Sequence, residues 1–149
     1  MGPRDADAGI VVTASHNPPE DNGIKLWSPS GQAFDANQRA AIERRVTEND
    51  YELAAWDGHG DRTAWDGATA AHRAALVAAG QRWFDGVDAA PEDLSVVVDP
   101  GAGTGALTAD ALRELGVSVE TLNAQPDGRF PVRPSEPTAD NCESLCRCV

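Results

Sequence analysis

Hydrophobic and polar residues in the first third of the chain predict two strands and one helix. Two short runs, 9–13 and 23–28, each have the length of a strand. The first has the character of a buried strand, and the second alternates Ile24 and Leu26 with Lys25 and Trp27. The polar segment 15–22 between them contains two prolines, so we expect a loop there. Asp35 precedes an amphipathic stretch over 36–48, which predicts a helix with Asp35 as its N-cap.

The pattern from residue 94 onward predicts a strand, a helix and a second strand. Residues 94–99, LSVVVD, form a β-branched run of the kind found in strands that are covered on both faces. A glycine-rich turn leads into a helix expected over 106–115, which Gly116 ends, and 117–122 predicts the next strand. Together these elements predict a βαβ unit with parallel strands and a right-handed crossover.

The remaining segments are one helix and several irregular stretches. Residues 50–66 lack periodicity and are interpreted as a linker, whereas 68–85 predicts a helix. The segment 126–137 contains four prolines and predicts an extended loop. Thr138 is placed to cap a last helix that begins near residue 139.

Composition narrows the range of partners. At 149 residues the chain suffices for one ordinary domain or for pieces of two. Its net charge of −12 argues against nucleic acid as a partner, because proteins that bind the phosphate backbone need a basic face. No apolar run approaches the roughly 18 residues that span a bilayer, and residues 1–7 lack a signal-peptide pattern. We therefore expect no membrane partner and a cytoplasmic location.

Lysine usage and cysteine placement are also unusual. Lys25 is the only lysine among 12 basic residues, and this acidic, lysine-poor composition favours the salt-rich cytoplasm of a halophile. All three cysteines, Cys142, Cys146 and Cys148, lie within the last eight residues. No histidine near them completes a zinc site, and their spacing is not that of a disulfide framework, so we interpret them as chemically idle.

The adjacent residues Ser15 and His16 raise the hypothesis of a Ser–His hydrolase. Neighbouring side chains in an extended segment point to opposite faces, so these two would pair only if the chain bends between them. The GxSxG elbow of the α/β hydrolases is also absent from the sequence. We therefore set this hypothesis aside.

A second hypothesis comes from the segment VVVDPGAGTG, residues 96–105. A strand followed by glycines and a helix resembles the nucleotide-binding loop of S-adenosylmethionine-dependent methyltransferases. On that interpretation Gly101, Gly103 and Gly105 would let the backbone approach the cofactor, and Glu120 would hold its ribose. Glycines in a tight strand-to-helix turn also serve packing alone, so both interpretations stay open.

The segment TASHNPPEDNGIKLWSPSG, residues 13–31, closely resembles the phosphoserine loop of the α-D-phosphohexomutases, the family of phosphoglucomutases and phosphomannomutases. Further along, VVVDPGAGTG, LGVSV and PDGRFPVRPSEPTADN resemble that family's second domain, in the same order. The resemblance implies an α/β fold of incomplete three-layer α/β/α units with a mostly parallel sheet, from two adjacent domains. It assigns 1–49 to the end of the first domain, 50–67 to a linker and 68–149 to a truncated second domain.

The same resemblance implies an isomerase that acts on a hexose phosphate substrate. Ser15 would be the phosphoserine, which exchanges a phosphoryl group with the sugar and interconverts hexose 1-phosphate and hexose 6-phosphate through a bisphosphate. His16 and Asn17 match positions that lie beside the phosphoserine and orient it. Lys25 matches a lysine that stabilises developing charge and assists proton transfer, which the permanently charged arginine could not do.

Several parts of the family pattern have no counterpart in this sequence. The aspartate loop DGDADR that binds Mg²⁺, the sugar-recognition loop and the last phosphate-binding loop are absent from it. Mg²⁺ and an activating hexose 1,6-bisphosphate are thus expected for the complete enzyme, and here only the phosphate on Ser15 is a predicted metal ligand. We expect no mutase turnover from this chain alone, and a non-catalytic module or gene remnant is the alternative. The choice between glucose and mannose phosphates stays open.

Overall fold

The computed structural model describes residues 6–149. Over that part, the chain divides into two compact units, the first made of 6–13 with Asn22–Trp65 and the second of Ala14–Asp21 with Asp66–Val149. The polar loop predicted after the first strand therefore belongs to the second unit, although both flanking strands belong to the first. The predicted domain limits of 1–49, 50–67 and 68–149 stay a prediction. Residues 1–5 of the first predicted domain lie outside the described part of the chain.

The first unit contains a strand pair and a helix. Strands β1 (Gly9–Val12) and β2 (Ile24–Trp27) pair antiparallel, with Val11 opposite Lys25. Helix α1 (Ala36–Glu48) begins with a capping box, in which the Asp35 carboxylate accepts the Gln38 N–H at 2.9 Å and the Gln38 side chain accepts the Asp35 N–H at 2.9 Å. The helix predicted over 36–48 and its N-cap are confirmed.

The prediction that β1 is buried is wrong within this unit. Ile10 is 68% exposed and Val12 73% exposed, and the facing Ile24 is 70% exposed. Among the described residues, β1 and β2 form a sheet of two strands only. Two short strands cannot cover their own faces, so an apolar pattern alone did not establish burial here.

The second unit is built on a parallel strand pair. Strands β3 (Ser95–Val98) and β4 (Ser118–Thr121) pair parallel, and helix α3 (Ala106–Glu114) connects them. Helix α2 (Ala68–Phe84) packs against α3. The α/β class and the βαβ unit are thus confirmed, with the parallel pairing in this unit and an antiparallel pair in the other.

The buried apolar side chains of the described residues are few and small. They all belong to the second unit, namely Ala102, Ala109, Ala111 and Val117. The valines of β3 are only half-buried, so the expectation that this strand is covered on both faces is wrong for the chain as described. The contacts between elements agree with this, because α3 packs against β4 while α2 packs chiefly against α3.

The C-terminal segment differs from its prediction. The last helix, α4 (Glu143–Cys146), is a single turn and begins four residues later than expected. Thr138 makes the hydrogen bond expected of an N-cap, since its hydroxyl oxygen accepts the Asn141 N–H at 3.2 Å, but residues 139–142 form a turn that precedes α4. A short 3₁₀ helix at Pro91–Asp93 was not predicted. Searching residues 6–149 finds no helix with the length and apolar character of a membrane span.

Candidate functional site

A sharp bend directly after β1 exposes Ser15. Its φ of 64° lies in the left-handed region, which is uncommon for a residue other than glycine and occurs often at functional sites. Two turn hydrogen bonds support the following loop, from the Asn17 N–H to the Ala14 carbonyl at 3.2 Å and from the Asp21 N–H to the Pro18 carbonyl at 3.0 Å. The loop therefore has a defined backbone course although its side chains are exposed.

The bend brings the Ser15 hydroxyl close to the neighbouring imidazole. Ser15 Oγ and His16 Nδ1 are 3.3 Å apart, within hydrogen-bond distance. The bend that such a contact was expected to require is present, because the left-handed Ser15 is not extended. Asn17 is also held, since its Nδ2 donates to an Asp21 carboxylate oxygen at 3.0 Å.

Ser135, from the proline-rich segment, contacts the same loop. Its hydroxyl lies within hydrogen-bond distance of the His16 carbonyl and is 2.9 Å from the Asn17 carbonyl. A hydroxyl carries one proton, so the two carbonyls share a single donor. The loop that bears Ser15 is thereby joined to a segment more than a hundred residues later in the sequence, a contact that sequence reasoning missed.

A buried ion pair lies next to Ser135 along the chain. Arg133 Nε donates to Asp99 Oδ2 at 2.9 Å, and the side chains are only 11% and 1% exposed. The other carboxylate oxygen accepts the Gly101 N–H at 2.8 Å and the Asn123 amide at 3.1 Å. Burial by itself would raise the pKa of Asp99, but the hydrogen bonds from Arg133, Gly101 and Asn123 hold it below its ordinary value of 3.8.

The same guanidinium also orders the backbone that follows it. Arg133 Nη1 donates to the Pro134 carbonyl at 2.9 Å and lies 3.5 Å from the Ser135 carbonyl. A continuous set of contacts therefore leads from the end of β3 through Asp99 and Arg133 to Ser135, and from its hydroxyl to the loop of Ser15. Sequence reasoning did not single out Asp99 or Arg133, because two residues so far apart in the chain carry no spacing signal.

A cleft of about 740 Å³ opens between the loop and the proline-rich segment. It is lined by 16–19, by 129–136 and by Asn141. Arg129 is among these residues and is mostly exposed, and it makes a two-pronged contact with Asp127 at 3.1 and 3.0 Å. The hydrogen bonds from Arg129 lower the pKa of Asp127.

Lys25 lies in the first unit. It is exposed in the middle of β2, opposite Val11 on β1. Of the four predicted site residues, Ser15, His16 and Asn17 lie together in one loop of the second unit. Lys25 lies on a strand of the first unit.

Protein atoms fill the space beside the glycine-rich turn that follows β3. Gly101 has a φ of +59°, and a Cβ at this position would overlap the Arg133 guanidinium. A Cβ on Gly103 would lie 3.0 Å from the Pro100 carbonyl oxygen. The turn therefore needs its glycines for close packing, which favours the packing interpretation over an S-adenosylmethionine site. Glu120, the proposed ribose ligand, is exposed on β4.

Within residues 6–149, no group of three or more His, Cys, Asp or Glu side chains is arranged to hold a metal ion. The donors that these residues offer do not fit a Mg²⁺ site, because that ion prefers near-octahedral oxygen ligands. The cysteines are free thiols, with Cys142 half-buried and the other two exposed.

Comparison with protein families matches residues 1–53 to the family described as phosphoglucomutase/phosphomannomutase, alpha/beta/alpha domain I. Two archaeal relatives carry the name "Probable phosphoglucosamine mutase". The protein of Methanopyrus kandleri is 41% identical over 144 residues, which are 96% of this chain and 30% of the relative. That of Methanosarcina barkeri is 40% identical over 147 residues, which are 98% of this chain and 32% of the relative.

A solved structure is also similar along nearly the whole chain. A phosphoglucomutase/phosphomannomutase family protein of Burkholderia thailandensis superposes with a TM-score of 0.72 and 26% identity, and the match covers 97% of this chain and 29% of that one. The chain thus spans about 30% of the length of the curated relatives that it matches. The resemblance predicted from residues 13–31 is confirmed.

Proposed function

The chain is related along nearly its whole length to the phosphoglucomutase/phosphomannomutase family, and on that basis we propose that it carries the phosphoryl-accepting serine of a phosphohexomutase. The observation that supports this most directly is Ser15 itself. It is exposed, it is held in a strained left-handed conformation, and its hydroxyl lies 3.3 Å from the His16 imidazole. Strain and pre-orientation of this kind are typical of reacting groups.

The proposed step is transfer of a phosphoryl group between a hexose bisphosphate and Ser15. The bond between phosphorus and the sugar oxygen breaks, a bond between phosphorus and Ser15 Oγ forms, and the sugar oxygen leaves with the electron pair. The serine proton passes to a base, for which we propose the His16 imidazole, whose Nδ1 is 3.3 Å from the Ser15 hydroxyl. Lys25 is proposed to neutralise developing charge, and Asn17 to orient the phosphoryl group.

The proposed substrate is a hexose phosphate. The relatives from Methanopyrus and Methanosarcina are named as phosphoglucosamine mutases, which favours an amino sugar over glucose or mannose phosphate. In the complete enzyme, Mg²⁺ is proposed to bind the phosphate on Ser15, and a hexose 1,6-bisphosphate is proposed to prime the serine. The described residues supply no further metal ligands, so no step of this chain's chemistry is assigned to the metal.

Phosphate uptake tests the proposal directly. We expect the chain, incubated with glucosamine 1,6-bisphosphate or glucose 1,6-bisphosphate, to gain the mass of one phosphoryl group at Ser15, as located by peptide mass spectrometry. Ser15→Ala should abolish the gain because the acceptor oxygen is removed. Ser30→Ala, which removes another exposed hydroxyl, is the control and should leave uptake unchanged. A wild-type chain that takes up no phosphate from either sugar would contradict the proposal.

A further inference from the structure

We infer that Ser135 is a positioning residue for the loop that carries Ser15. Its hydroxyl is the donor that the His16 and Asn17 carbonyls share, and these are the two residues directly after Ser15. Ser135 does not contact the Ser15 hydroxyl in the described contacts, so it acts through the backbone. The role in phosphoryl transfer rests on the proposed function, whereas the effect on the loop does not.

The loop that carries Ser15 is only weakly held by hydrogen bonds of its own. Residues 15–20 are exposed, and the two turn hydrogen bonds within the loop are both short-range. Exposed turns of this kind open readily on their own. A donor from a distant segment that binds two consecutive carbonyls restricts the peptide planes after Ser15, and with them the position of the His16 imidazole.

Ser135 is itself held firmly by its surroundings. Arg133 is anchored on the almost fully buried carboxylate of Asp99, and its guanidinium binds the carbonyl of Pro134. Ser135 is half-buried, unlike the exposed residues on either side of it. Because these contacts fix the backbone next to Ser135, its hydroxyl is held in place and can restrict the two carbonyls that it binds. A serine that moved freely could not do this.

Two variants of matched shape separate the hydroxyl from the rest of the side chain. Ser135→Thr keeps the donor and Ser135→Val replaces it with a methyl group, so any cost of the added bulk is common to both. In the valine variant we expect amide hydrogen exchange at Asn17 and Asp21 to be about fivefold faster than in the threonine variant. This is the change in an equilibrium constant that the loss of one typical hydrogen bond produces. The His16 Nδ1 signal in nitrogen NMR should also move in the valine variant only.

Phosphate uptake at Ser15 is the second measurement. Ser135→Val should slow it about tenfold, and Ser135→Thr should restore most of the rate, because misplacement of a reacting group is costly. Ser118→Ala, which removes an exposed hydroxyl on β4 in the same unit, is the control and should change neither measurement.

The possible failures can be told apart. If the wild type takes up no phosphate, the proposed function fails, and the exchange and NMR comparison still decides the role of Ser135. If the rates of amide exchange in the loop and the His16 Nδ1 signal are the same in the valine and threonine variants, the positioning role is overturned. Should the valine variant unfold while the threonine variant folds, exchange throughout the second unit would rise, and a purely structural role would replace the one inferred here.

Discussion

At the residue scale, the pair of Asp99 and Arg133 has the largest energetic consequence among the described ion pairs. The Asp99 carboxylate is 1% exposed, so removal of its partner would leave a charge that water cannot reach. Exposed pairs such as Arg147 with Glu143, each 70% exposed, are screened by solvent and contribute little. Both pairs join an arginine to a carboxylate, so they allow a buried ion pair to be compared with an exposed one.

We expect Arg133→Met to lower the free energy of unfolding by about 3–5 kcal/mol, as for other buried pairs that lose one partner. Urea unfolding followed by circular dichroism measures the change. Arg147→Met is the matched control and should lower it by less than about 1 kcal/mol. Equal effects of the two substitutions would mean that burial does not determine the strength of the Asp99 contact.

Neither partner of this pair stands out in the sequence. Asp99 ends an apolar run and Arg133 lies in a proline-rich segment, 34 residues away. Ser15, His16 and Asn17 could be selected from sequence because they are contiguous and match a family pattern. Ser135 could not, because its function depends on which carbonyl groups the folded chain places beside its hydroxyl.

At the scale of single elements, the turn between β3 and α3 depends on Gly101. This residue has a positive φ, and the space that a side chain would fill is taken by the Arg133 guanidinium. Two separate costs therefore oppose any larger residue, namely backbone strain and displacement of a buried charged group.

Substitution of Gly101 by alanine is predicted to lower the free energy of unfolding by about 1–3 kcal/mol. Thermal or urea unfolding would measure it. Gly128→Ala is the control, because a Cβ at Gly128 meets nothing within 4 Å. Unfolding that is unchanged in Gly101→Ala would show that Arg133 has room to move away at little cost.

Local capping and stop signals located the ends of α1 and α3 but not the start of the last helix. Helix α1 begins where Asp35 and Gln38 supply a capping box, and α3 ends just before Gly116, whose φ is +99°. Thr138 makes the hydrogen bond of an N-cap, because its oxygen accepts the Asn141 N–H, but residues 139–142 form a turn and α4 begins only at Glu143. The local capping signal therefore located the turn correctly and did not show where the helix begins.

At the scale of the whole molecule, the net negative charge is large and few of the described apolar side chains are buried. The chain carries a net charge of −12, and the buried apolar side chains among its described residues are three alanines and one valine. Self-repulsion of excess carboxylates opposes folding and is weakened by salt. Stability should therefore depend on ionic strength more than it does for a neutral chain of this size.

We expect the thermal unfolding midpoint to rise when KCl is increased from about 0.1 M to about 2 M, because the Debye length falls from about 10 Å to less than 3 Å. Differential scanning fluorimetry across a KCl series measures this. Sucrose at matched osmotic strength is the control, since it adds no ions. A midpoint that is flat or falling with KCl would contradict the interpretation of the acidic composition as an adaptation to salt.

The sequence by itself determined most of the helix and strand positions, the α/β class and the resemblance to the phosphoglucomutase/phosphomannomutase family, because caps, periodicity and contiguous motifs are local and can be read without a structure. Tertiary structure alone decided which distant residues contact the loop of Ser15. It also showed that the apolar residues of β1 are exposed and that Gly101 lies against Arg133. These properties depend on contacts between residues far apart in the chain, and such contacts exist only once the chain has folded.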